Sequence, residues 1–163
     1  MTAIDCTDLS KAYGDLRAVD DLTLSVEAGE VFGFLGPNGA GKTTTIRLLL
    51  GLHHPTGGDA EVLGASIRDR PALRAARARV GYLPSDPGMD PDVTGDTLLD
   101  HLGELKGDSR REELVERFGA PVERPIGALS RGNKQKLGVV QAFMHDPELA
   151  ILDEPTTGLD PLL

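Results

Sequence analysis

The 163-residue chain has one cysteine, Cys6, so no disulfide can form within it, and a reducing compartment is the natural expectation. It has no apolar run near the roughly 18 residues that a membrane-spanning helix needs. Its first residues, Met1 to Asp8, lack the basic start and apolar core of a secretory leader and carry Asp5 and Asp8 instead, so no leader is expected. Nor does it have a basic excess. The 17 Lys and Arg stand against 26 Asp and Glu, a net charge of −9, which argues against a general nucleic-acid binder. Internal repeats and low-complexity tracts are absent as well. What remains is 39% hydrophobic and 26% charged, the composition of a globular chain of one-domain size. A chain of this length can bury roughly two-thirds of its unfolded surface, so a core is possible. These absences together predict a soluble, acidic, cytosolic domain.

The acid is unevenly spread. Asp86 to Glu123 holds eleven acidic against four basic side chains, as expected of a solvated helical face or of a surface for a partner. Along the chain, Ile4–Leu9 and Ala18–Val26 read as strands, with Leu22, Leu24 and Val26 alternating onto one face. Val31–Leu35 is an apolar run suited to a buried central strand. Lys42–Leu50 reads as a helix stopped by Gly51. Thr56-Gly57-Gly58 predicts a turn before a strand over Ala60–Leu63. Pro71–Arg79 is helical in pattern and Val80–Leu83 is strand-like. The spacing of Leu98, Leu102 and Leu105, followed by Leu114, Val115 and Phe118, predicts helix over Thr94–Phe118. Ser130 is a helix N-cap for a segment reaching about His145, with Val139, Val140, Phe143 and Met144 on its apolar side. Glu148–Leu152 is the last strand. Strands alternating with helices argue for an α/β sheet with an N-terminal antiparallel portion and a helical insertion.

Gly36-Pro37-Asn38-Gly39-Ala40-Gly41-Lys42-Thr43 matches G-x-x-x-x-G-K-[ST] between a predicted strand and a predicted helix. Chance alone would place its four fixed residues in about 1% of chains of this composition. The glycines let backbone N–H groups converge on phosphate oxygens at the positive end of the following helix. Lys42 supplies a charge to the β- and γ-phosphates, and the Thr43 hydroxyl is a ligand for Mg²⁺. A second constellation, Ala150-Ile151-Leu152-Asp153-Glu154, is an apolar strand ending in two carboxylates. Asp153 is placed to hold Mg²⁺, and Glu154 to orient or deprotonate an attacking water.

With these motifs in this order, the chain resembles the nucleotide-binding domain of ATP-binding cassette (ABC) transporters along its whole length. Leu129-Ser130-Arg131-Gly132-Asn133 is similar to the family signature LSGGQ, with Arg131 and Asn133 in place of Gly and Gln. Thr157-Gly158-Leu159-Asp160 is similar to the D-loop, and Tyr13 stands where the family stacks an aromatic ring on adenine. The resemblance implies an α/β P-loop NTPase fold and ATPase activity with ATP and Mg²⁺. It implies ATP contacts by Gly36 through Lys42, by Thr43 and Thr44, and by Tyr13. It also implies a head-to-tail dimer in which Ser130 and Gly132 of one domain close on the partner's ATP, near the D-loop Asp160. Membrane-spanning permease subunits on separate chains are the expected partners, with the protein peripheral on the cytoplasmic face of the membrane and no nucleic acid bound.

Two departures qualify the resemblance. Ser85 stands where the family usually has a Gln that reaches Mg²⁺ and the membrane partner, and serine is too short to do the same. The family's switch histidine falls beyond the D-loop, whereas His53, His54, His101 and His145 all precede Glu154 and fit loop or surface positions. Residues 1–163 are therefore expected to be one ABC ATPase domain incomplete at its C-terminus, with a helical subdomain at 86–145. The alternatives are a soluble ABC ATPase working on ribosomes or DNA, and a non-hydrolysing nucleotide-binding fragment.

Overall fold

The computed structural model describes residues 1–155, which form two compact units meeting in sequence at Ala78 and Arg79. In the first unit, β1 (Thr2–Tyr13) and β2 (Leu16–Glu27) make a long antiparallel hairpin. β3 (Gly57–Val62) pairs antiparallel with the other edge of β1, and β4 (Ala65–Ser66) pairs with β3, giving the order β2-β1-β3-β4. The strict period of two is broken inside β1. Asp8 takes a left-handed φ of +50°, and the register shifts between Cys6 and Leu9. That irregularity lets Cys6 and Leu9, three residues apart, both be fully buried. Burial pushes the Cys6 thiol up to about 11, with a smaller contribution from the charge of Asp5. The helices α1 (Lys42–Leu49) and α2 (Arg70–Ala78) complete this unit, adding Ile46, Leu48, Leu49, Leu73 and Ala76 to its core.

Two expectations fail in this unit. Gly57 and Gly58 are the first residues of β3 rather than a turn, because Thr56 N–H donates to Ser10 O and Gly57 pairs with Ser10. Val31–Leu35 is not a strand: Val31 and Leu35 are exposed, and Phe32 is half-exposed with its ring stacked against Phe34. A run apolar on both faces is a strand only when neighbours bond its two edges, and among the described residues this segment has no ladder partner.

In the second unit, β5 (Val80–Leu83) and β6 (Leu149–Leu152) run parallel, in register from Val80 opposite Leu149 to Leu83 opposite Leu152. Parallel strands need a long crossover. Here it is α3 (Gly95–Lys106), α4 (Arg111–Phe118), a 3₁₀ turn (Ile126–Ala128) and α5 (Arg131–Phe143). The segment helical in pattern over 94–118 divides into two helices, α3 and α4. Gly107 ends α3 with φ +93°, its N–H donating to Gly103 O. The buried stripe also differs from the expected one, because Leu99 is fully buried while Leu98 and Leu102 only flank the core and Leu105 points to solvent. Leu99 joins Leu114, Ile126, Leu129, Leu137, Val140 and Met144 in one cluster. Gly81 lets α5 lie against β5, since a Cβ there would come within 2.0 Å of Ala142 O. The acidic insertion is partly neutralised from within: Arg111 bonds Asp96 at 2.8 Å and also Asp100, while Arg110 pairs with Glu113.

Candidate functional site

The residues of interest fall in both units. In the first, the loop from Gly36 to Gly41 leads into α1, and Gly41 is the helix N-cap with φ +87°. Only glycine suits this position, since a Cβ would also lie 2.1 Å from Ala18 O. Ala40 N–H donates to Pro37 O, which curls the loop around Asn38 and Gly39. The Lys42 ammonium reaches back into this curl and donates to Gly36 O at 2.6 Å and Pro37 O at 2.9 Å. Its charge therefore sits inside the ring of backbone, as a phosphate-binding lysine requires. Thr43 and Thr44 follow in the first turn of α1, and buried Thr45 bonds Gly41 O through its hydroxyl at 3.0 Å. Tyr13, at the end of β1, is 43% exposed.

In the second unit, Asp153 N–H donates to Leu83 O at 2.8 Å, extending the β5–β6 ladder by one residue. That bond fixes the two carboxylates at the carboxyl end of β6, where the sequence places them. The Asp153 side chain is buried at 4% exposure, while Glu154 is exposed and takes a left-handed φ of +51°. Such a φ costs a non-glycine residue roughly 1–3 kcal/mol and persists only where its surroundings impose it. One neighbouring hydrogen bond was not legible in the motifs. Gln135 of α5, 3% exposed, donates its amide to Pro155 O at 3.0 Å, directly after Glu154. Its signal in the sequence is only a polar residue two positions beyond the signature.

At the other end of α5, Ser130 caps the helix by accepting the Asn133 N–H at 3.3 Å. The cap uses the backbone of Asn133, so the departure from Gln at that position leaves it intact. Gly132 lies in the first turn of this 13-residue helix, whose N-terminus favours an anion. Asp160 of the D-loop lies outside the described residues. Among the four histidines, His145 takes a loop position, in the turn after α5. Both of its ring nitrogens are buried, and burial, aided by the Lys106 charge, holds its pKa below the ordinary value. Among the described residues no helix is long and apolar enough to cross a membrane.

Architecturally this is an α/β P-loop cassette, and its likeness to solved structures confirms the class. It superposes on a structure described as the ATP-binding subunit of an ABC transporter with a TM-score of 0.87 at 32% identity, over 99% of this chain and 70% of that one. A dimeric bacterial ABC transporter cassette shares the fold, with a TM-score of 0.85 at 22% identity over 96% of this chain and 76% of the other. Residues 19–157 match the ABC transporter family, and the chain belongs to that family. It is 42% identical, over 99% of its length, to the bacitracin transport ATP-binding protein BcrA of Bacillus licheniformis, and covers 54% of that protein. It is 41% identical, over 97% of its length, to the Nod factor export ATP-binding protein I of Burkholderia lata, again covering 54%. The chain thus spans about half the length of these curated relatives.

Proposed function

We propose that this chain belongs to the ATP-binding subunit of an ABC transporter, which couples ATP binding and hydrolysis to transport through separate membrane-spanning subunits. The observation that carries the reading is the signature at the start of α5. Ser130 and Gly132 form a second anion-binding terminus on the same chain as the phosphate loop. Two such termini serve one triphosphate when two domains pair head to tail, so ATP closes a dimer and hydrolysis reopens it. Relatives named for bacitracin transport and Nod factor export support transport as the purpose.

Each residue then has a role. Lys42 and the backbone from Gly36 to Gly41 hold the β- and γ-phosphates, Thr43 and Thr44 continue that contact, and Tyr13 receives the adenine. A buried carboxylate and a hydroxyl are hard oxygen donors that suit Mg²⁺, so Asp153 and Thr43 are its candidate ligands. When bound, the ion offsets charge on the phosphate oxygens. Glu154, exposed at the strand end, takes the proton of the attacking water. Asp160 contributes across the dimer, and residues 86–145 form the helical subdomain that meets the permease at the membrane's cytoplasmic face.

The test uses the intact protein with Glu154→Gln. ATP binding should persist, hydrolysis should slow by about 10² to 10⁴, the usual worth of a general base, and an ATP-bound dimer should accumulate on size-exclusion chromatography. Wild-type phosphate release from this variant would remove Glu154 from the mechanism.

A further inference from the structure

Tyr13 is exposed, yet its ring is held from two directions. Its hydroxyl bonds Nδ1 of His53 at 2.5 Å, with the two rings edge-on at 80° and 5.9 Å between centroids. The Lys11 ammonium lies over the ring, 4.8 Å from the centroid, and is itself fixed by donating to His54 O at 2.7 Å. A tyrosine at a strand end would otherwise rotate freely about its side-chain bonds. Here the hydroxyl is pinned and one face carries a cation, so the ring presents its other face in a single orientation.

The partner that pins it has a telling position in the chain. His53 lies in the turn that closes α1: the N–H groups of Leu52 and His53 both donate to Arg47 O, at 2.8 and 3.2 Å. The segment beyond is fastened to β1, since Ala12 N–H donates to the Thr56 hydroxyl at 3.1 Å. The helix whose first turn carries Lys42 therefore anchors, through Arg47 O in its last turn, the residue that holds Tyr13. An α-helix of eight residues spans about 12 Å, so α1 acts as a spacer of fixed length between the phosphate loop and the ring.

We infer that His53 is a positioning residue for the nucleotide base, locking the Tyr13 ring at a set distance from the phosphate loop through α1. The inference rests on the proposed role of Tyr13 as the base-stacking residue. A ring already fixed loses little freedom on stacking, and the saving appears as affinity for the base alone.

Calorimetric affinities of the intact protein for MgATP and for magnesium tripolyphosphate, which has no base, test it. His53→Ala should weaken MgATP by about threefold to tenfold, the scale of one hydrogen bond, and leave tripolyphosphate unchanged. Tyr13→Phe removes the same bond without touching the end of α1. It should give the same loss, and the double variant should add nothing to it. His53→Asn, whose amide oxygen can accept the phenol proton, should recover most of the affinity. Unchanged MgATP affinity in both His53→Ala and Tyr13→Phe overturns the inference. So does an equal loss of both ligands, which would make His53 a support for α1 only. Tyr13→Ala separates the two layers. If it weakens MgATP while His53→Ala is silent, only the positioning role falls; if it leaves MgATP untouched, the base-stacking reading falls with it.

Discussion

Lys42 in the first unit and Asp153 in the second are the two ionisable residues singled out above, and their surroundings differ. Lys42 is partly exposed, in a loop shaped by two left-handed glycines, Gly39 and Gly41, a short turn and its own bonds to Gly36 and Pro37. Asp153 is buried at the end of a parallel strand pair, next to Glu154 with its left-handed φ and to Pro155, whose carbonyl accepts from Gln135. The phosphate loop owes its shape to backbone conformation and few side chains. The carboxylate end owes its shape to packing, because α5 joins the Leu99–Leu137 cluster and lies against β5, the strand with which β6 pairs. Changes at the first end should therefore alter ligand affinity and spare stability, whereas changes at the second should cost stability and turnover together.

The largest effect expected of this contrast is at Lys42. Lys42→Ala should weaken MgATP by roughly 10- to 150-fold, the loss of a charge-assisted contact worth about 1.5–3 kcal/mol, with urea unfolding unchanged. A variant that binds normally by calorimetry, or that melts early, breaks the contrast at this end.

Gln135→Leu probes the other end at similar volume. It leaves Pro155 O without its buried donor, a loss of about 1–2 kcal/mol, so the urea midpoint should fall. Phosphate release should slow while ATP affinity holds, because the backbone next to Glu154 loses its tie to α5. Stability and turnover both at the wild-type level would show that packing alone sets the carboxylates.

The smallest effect is one of pH. Burial and the Lys106 charge hold His145 below the usual histidine value of about 6.5, so the folded unit favours the neutral ring. A lowered histidine contributes stability that is present above the unfolded value and lost as pH falls below it. Unfolding followed between pH 7.5 and 5 should show that loss, and His145→Gln should flatten it. An identical slope in the variant would assign the acid sensitivity elsewhere.

Much of this was legible in local pattern. Val80–Leu83 is β5 with the expected bounds, Ser130 caps α5, and the apolar run before Asp153 is the strand it reads as. These elements carry their own signals, namely a β-branched start, a capping hydroxyl and an uninterrupted apolar stretch. Val31–Leu35 carries the same kind of signal and still fails, because a strand is defined by neighbours that its own residues do not encode. The stripe on α3 was misplaced by one residue for a related reason. Leu98, Leu99 and Leu102 all fit a helical face, and only the positions of Leu114 and Leu137 decide that Leu99 is innermost. The hydrogen bonds from Gln135 to Pro155 and from Tyr13 to His53 join residues 20 and 40 positions apart, beyond the reach of any motif.

The bulged strand β1 also equips the protein with a gauge. Its sole cysteine, Cys6, is fully enclosed and its thiol is pushed up to about 11, so at neutral pH the native state offers almost no thiolate to an alkylating reagent. Modification then proceeds through whatever opening frees β1 from β2 and β3. In the unaltered sequence, the rate of maleimide capture therefore reports the opening free energy of the phosphate-loop unit alone, and nucleotide that steadies this unit should slow the capture in proportion to its occupancy.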